Sequence, residues 1–167
     1  MEDEALDKLR ARGLPAALLD VWAGHVAEQL PAFWARPHTY FKGREALWEL
    51  APGLTGLIPI VEQNGEAIIG VLPHEDRYVQ CYYEDLRHGD DAIAELGRGY
   101  QQFAMTILLR VAEYVPAEEE AEFAEAARLL EFDHGDELWA LCLAGDDAGI
   151  EALFARLGPG PRGGQGG

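Results

Sequence analysis

The residues best equipped for chemistry in this sequence are five histidines, His25, His38, His74, His88 and His134, and the carboxylates beside two of them. A helical zinc site needs two histidines four apart or an HExxH run, because only that spacing sets two imidazoles on one face. No such pair occurs. His74-Glu75-Asp76 and His88-Gly89-Asp90-Asp91 stand at either end of a stretch that reads as a strand. Brought together, His74, Asp76, His88 and Asp90 would make a small metal-dependent hydrolase, since proton transfer requires hydrogen-bond reach. The simpler role of such polar clusters is to solvate turns, so no catalytic residue, metal or other cofactor is expected. No GxSxG or Walker loop is present, and Gly97-Arg98-Gly99 lacks both a preceding strand and the third glycine of a dinucleotide loop. Cys81 and Cys142 lie far apart without CxxC spacing and read as small buried hydrophobes.

A second kind of chemistry is recognition. Trp22, Trp34, Trp48, Trp139 and Tyr78 recur at helix or strand spacing and read as core. Tyr82-Tyr83-Glu84-Asp85 differs, because neighbouring strand residues face opposite sides of a sheet and one of the two tyrosines must reach the less buried side. Carboxylates from nearby turns join it. The candidate partner-binding set is Glu62, Glu66, Glu75, Asp76, Tyr82, Glu84 and Asp85, an acidic, aromatic surface on which tyrosine supplies contact area and carboxylates steer a basic partner.

The elements that position this set centre on Pro52 to Asp85. Two apolar runs, Leu57–Val61 and Ala67–Leu72, flank Asn64-Gly65, and a type I′ turn needs the positive φ that these two residues tolerate. A third run from Arg77 carries Tyr78, Val79, Cys81, Tyr82 and Tyr83, which completes a short antiparallel meander. A hairpin alone is marginal in water, so helices must cover it. The expected fold is α+β, a small antiparallel sheet packed by N-terminal and C-terminal helices.

On the N-terminal side the pattern predicts a helix over Asp3–Arg12 ended by Gly13, and a second from Leu14-Pro15 to Leu30 with Leu18, Leu19, Trp22, Val26 and Leu30 as its buried stripe. Residues Phe33 to Phe41 read as an irregular aromatic segment, and Gly43–Leu50 as a short helix. On the C-terminal side Ile93, Leu96, Tyr100, Phe103, Ile107, Val111 and Tyr114 step by three and four as one long helix, although Gly97 and Gly99 move its start toward Tyr100. Helices over 117–132, 136–144 and 147–157 follow. The 167 residues are expected to form one α+β domain over 1–157 and a disordered Gly/Pro tail over 158–167.

Composition narrows the function classes. Thirty acidic residues against 13 basic ones give a net charge of −17, a field that repels nucleic acid and anionic membrane and attracts basic proteins. No apolar stretch is long enough to span a membrane, and Met1-Glu2-Asp3-Glu4 is the opposite of a basic signal-peptide start, so a cytoplasmic location is expected.

Several of these segments together resemble the SUKH superfamily, which contains yeast cell-wall assembly regulators and many bacterial immunity proteins. The resemblance spans residues 14–112: Leu14-Pro15 opening a helix, the strand Gly56-Leu57-Ile58-Pro59-Ile60-Val61, the turn Gln63-Asn64-Gly65-Glu66, a strand ending Gly70-Val71-Leu72, Tyr82-Tyr83-Glu84-Asp85, and Tyr100-Gln101-Gln102-Phe103-Ala104 in a helix. Residues 117–157 are then added C-terminal helices. The resemblance implies a non-enzymatic role, the binding and neutralising of a polymorphic toxin, often a nuclease, between competing bacteria. A general interaction or scaffold protein is the alternative, and the small hydrolase above is the third reading.

Overall fold

Three acidic residues, Glu2, Asp3 and Glu4, open the first helix, α1 (Glu2–Ala11), and Lys8 and Arg10 lie in its last turn, the arrangement that complements the helix dipole. Gly13 closes it at φ +76°. Leu14 N–H donates to the Leu9 carbonyl and Gly13 N–H to that of Arg10, the paired bonds of a Schellman end. The computed structural model describes residues 1–159, so the expected tail lies outside the described residues from position 160. The chain is α+β, with helices at both ends and an antiparallel sheet between them, and it divides into two units, Met1–Leu96 and Gly97–Gly167.

In the first unit the expected long second helix is replaced by one α-helical turn, α2 (Ala16–Leu19), and a 3-10 turn, Asp20–Ala23. Gly24 takes φ +90° and ends the helix six residues before Leu30. Trp22 fixes the exit, its indole N–H donating to the Ile60 carbonyl at 2.7 Å. The spacing of Val26 and Leu30 imitated a helical stripe, yet Leu30 reaches the core from a loop.

The aromatic segment is more ordered than its composition indicated. Trp34–Ala35 forms a short strand, β1, and the helix expected at Gly43 begins at His38 as α3 (His38–Leu50). Its start is set by a distant residue. Glu62 accepts hydrogen bonds from the backbone N–H groups of Tyr40 at 3.0 Å and Thr39 at 3.4 Å, satisfying donors that every helix leaves open.

The meander stands where the apolar runs placed it: β2 (Ile58–Gln63), β3 (Ala67–Leu72) and β4 (Arg77–Tyr82), paired Ile68 to Cys81 and Val71 to Tyr78 across β3 and β4. Pro59, which has no N–H to donate, sits at a register shift between Pro59 and Val61, the place a strand tolerates it. Gly70 lies opposite, where a Cβ would come within 2.6 Å of the Ile58 carbonyl oxygen.

After 3-10 turns over Tyr83–Ala92 comes a fifth strand, β5 (Ile93–Arg98), so the sheet order is β1-β2-β3-β4-β5. The three-and-four spacing from Ile93 imitates a helix here, whereas the start that Gly97 and Gly99 move toward Tyr100 is the one observed. Gly99, at φ +84°, separates strand from helix. Gly97 and Arg98 are therefore the end of a strand, and Gly99 follows it, still without a third glycine. On α3's side of the sheet Tyr40, Leu47, Leu54, Leu57, Ile68, Val79 and Cys81 form one buried cluster, each large apolar side chain contributing about 1.5–3 kcal/mol by its burial.

The second unit is helical: α4 (Tyr100–Ala112), α5 (Glu120–Leu129), α6 (Gly135–Ala144) and α7 (Asp147–Leu157). Phe123 and Trp139 stack at 4.9 Å between ring centroids, and Leu130, Leu138 and Leu153 are buried with them. Asp146 caps α7 by accepting from Gly149 N–H at 2.9 Å. The amide and hydroxyl groups of Tyr100-Gln101-Gln102 tie the helices together. Tyr100 donates to the Leu130 carbonyl, Gln101 to that of Glu131, and Gln102 to that of Phe154.

Candidate protein-binding surface

The turn between β2 and β3 is built as its residues demand. Asn64 and Gly65 take φ values of +52° and +69°, and Glu66 N–H donates to the Gln63 carbonyl at 2.9 Å, the positive-φ pair of a type I′ turn. Glu66 and Glu84 are exposed and Asp85 is half-buried. Tyr82 lies opposite Ala67, the first residue of β3, and is 39% exposed. Tyr83 turns inward. The alternation anticipated for the two tyrosines is present, and Tyr82 is the outward member.

A second aromatic stands at the same end. Phe33 is 68% exposed, and its carbonyl accepts the Asn64 N–H at 2.8 Å. It precedes β1 while Tyr82 ends β4, so the two flank the turn three strand spacings apart, roughly 14 Å at 4.8 Å per strand. Phe33 was missed in the sequence because it stood among buried neighbours, Trp34 and Tyr40. Its place beside Pro31, before any periodic run, was the available signal. No lysine or arginine falls between Glu45 and Asp76 or between Tyr78 and Leu86, so this end of the sheet is locally acidic as well as aromatic.

Glu62 does not belong to that surface, and this corrects the candidate set. It is 3% exposed, and besides capping α3 it accepts a hydrogen bond from the Tyr83 hydroxyl at 2.8 Å. Such a carboxylate is retained in the interior because its oxygens are satisfied. Burial, followed by the hydrogen bond and charge of Glu62, pushes the Tyr83 hydroxyl far above the usual tyrosine range. Burial likewise lifts Cys81, next to a smaller push from Asp85, to about 11, so this thiol is held protonated and unreactive near neutrality.

Glu75 and Asp76 are separated from the rest. They sit in the turn between β3 and β4, a full six-residue strand away, about 17–20 Å. Their charge is also answered by neighbours: Arg12 pairs with Asp76, and Arg77 lies 3.6 Å from Glu75 and 3.0 Å from Glu95. The seven proposed residues thus divide into an uncompensated group of Glu66, Tyr82, Glu84 and Asp85, a compensated pair at the opposite end, and one interior carboxylate.

The same geometry separates the histidines. His74 and Asp76 share the β3–β4 turn, whereas His88 and Asp90 lie in the segment that leaves the other end of β4. Asp90 accepts from the Gly53 N–H at 2.8 Å, an exposed structural bond. Among the described residues no three His, Cys, Asp or Glu side chains gather as metal ligands, and no helix is long and apolar enough to cross a membrane. No protein-family model, curated protein or solved structure matches the chain.

Proposed function

We propose that this chain is a non-enzymatic protein-binding domain of the bacterial cytoplasm, an immunity-type protein that neutralises a basic toxin, nuclease in kind, by covering its cleft. The observation that carries this reading is the end of the sheet at Asn64-Gly65, where exposed Phe33 and Tyr82 flank a turn bearing Glu66 with Glu84 close by. Aromatic side chains are the usual energetic anchors of an interface, and surrounding carboxylates act on encounter rate and specificity. A nuclease needs a basic cleft to hold phosphates, and a domain of net charge −17 is drawn to such a cleft by long-range attraction.

The SUKH resemblance points the same way. The hydrolase reading loses support because its four residues are divided between opposite ends of a strand. The reading is tested by capturing partners from the native lysate at low and at high salt and assaying the captured protein for nuclease activity with and without added domain. A basic nuclease, held at low salt, weakened at high salt and inhibited at one-to-one stoichiometry, is the expected result. Retention of an acidic or neutral partner would favour a general interaction protein instead.

A further inference from the structure

Most arginines of the first unit have a carboxylate. Arg10 pairs with Asp7, Arg12 with Asp76, Arg36 with Glu2, and Arg77 with Glu75 and Glu95. Arg44 is different. It makes no ion pair among the described residues although the chain carries 30 carboxylates, and its guanidinium lies over the Trp48 ring, 5.0 Å from the centroid. Its Nε is buried without a hydrogen-bond acceptor. The buried indole N–H of Trp48 has the Tyr40 hydroxyl beside it, off good hydrogen-bond geometry.

Both side chains line a cavity of about 100 Å³ in the first unit, between α1, α3 and the start of β2. Phe41, Leu57 and Pro59 give it an apolar wall, and Lys8 adds a second cation at 3.2 Å from Glu4. Lys8, by hydrogen bond and charge, and more weakly Arg44 hold the Glu4 carboxyl below its usual range. The carbonyl of Leu57, a lining residue, already takes the Tyr40 hydroxyl at 2.9 Å.

Donors and positive charge therefore face a small space whose lining is otherwise aromatic and aliphatic, apart from the Glu4 carboxylate that pairs with Lys8 at its rim. The cation–π contact with Trp48 holds the guanidinium over the ring, and a guanidinium fork matches a planar carboxylate better than a point charge does. Each buried water needs about 10–15 Å³, so the cavity has room for roughly seven to ten atoms of that size. We propose that this cavity is a binding site for a small aliphatic carboxylate, its oxygens accepting from Arg44 and its carbon chain lying against Trp48. The site is independent of the sheet-end surface and stands whether or not that surface binds a toxin.

The test is titration of the whole chain with butyrate, at constant ionic strength made up with chloride, followed by the indole N–H signal of Trp48 in a two-dimensional proton–nitrogen spectrum. Trp48→Phe identifies that signal. Saturation in the millimolar range, as suits so few contacting atoms, is expected, with butyramide leaving the signal unmoved. Arg44→Met keeps the length of the chain over the ring and should weaken binding at least about tenfold, while Glu4→Gln, which removes the rim carboxylate, should tighten it about two- to fivefold. Unchanged thermal unfolding of Arg44→Met separates lost binding from lost structure. Linear shifts without saturation, an equal response to butyramide or chloride, or undiminished binding by a folded Arg44→Met protein would overturn the assignment.

Discussion

The two ends of the β2–β3–β4 meander carry similar letters and do different work. Gln63-Asn64-Gly65-Glu66 and Pro73-His74-Glu75-Asp76 are both short acidic polar turns, the first with two residues at positive φ and the second with one, Asp76. At the second, Arg12 and Arg77 neutralise Asp76 and Glu75, and no large aromatic of the turn is exposed. At the first, no cation approaches in sequence and two aromatics stand in solvent. Acidity in a turn thus says little about binding until the positions of cations and exposed apolar area are known.

The largest contrast lies inside the hairpin itself, where Glu62 and Glu66 are four residues apart. Glu62→Ala orphans two helix N–H groups and the Tyr83 hydroxyl, all buried or half-buried, and should cost about 2–5 kcal/mol in denaturant unfolding. Glu66→Gln, at an exposed position, should stay within about 0.5 kcal/mol. Equal effects would mean that Glu62 is not the cap of α3.

Next in size is the loss of contact area at the uncompensated end. Phe33→Ala with Tyr82→Ala should weaken partner affinity by about 100-fold or more, read by calorimetry, with the thermal midpoint changed by no more than a few degrees. Tyr82→Ala with Glu84→Lys should weaken it comparably without unfolding the domain. Loss of the thermal transition in either double mutant would make these residues structural.

Charge alone gives the smaller signal. Glu66→Lys should slow association about tenfold at low salt and much less at high salt, whereas Glu75→Lys, beside Arg77, should change the rate by about twofold or less. Equal slowing by both would move the interface away from the hairpin end or spread it along the sheet.

The interior makes a prediction in pH. Burial raises Cys81 from an ordinary 9 to about 11 and Tyr40 from 10 to about 12. Both groups are therefore more easily ionised in the unfolded chain, so stability is fully present below about pH 9 and falls as pH rises toward 11 and 12. Urea midpoints measured from pH 8 to pH 11 should decline from pH 9 upward, and Cys81→Ala should flatten the first part of that decline.

What the sequence disclosed and what it withheld follow one physical division. Elements fixed by neighbours in the chain were legible: the Asn64-Gly65 hairpin, the Gly13 helix end, and the boundaries of α6 and α7 around Gly145-Asp146. Elements fixed by distant partners were not. The start of α3 depends on the Glu62 carboxylate from β2, and β1 exists only by pairing Trp34 with Gln63. Residues 93–98 had the spacing of a helix, but glycines at 97 and 99 weakened that helix and the segment became an edge strand. For the surface, strand alternation identified Tyr82 correctly. The separation of Glu75 and Asp76 from it was implicit in the meander, since successive turns fall at opposite ends of the sheet.

The hairpin end is separated from the rest of the surface by three baits used in parallel on the native lysate: the unaltered chain, Phe33→Ala/Tyr82→Ala/Glu84→Lys, and Glu75→Lys/Asp76→Asn. One basic protein is expected to be retained by the first and third, weakened at high salt, and lost from the second. Equal retention by all three folded baits, or loss only from the third, would contradict an interface at the hairpin end.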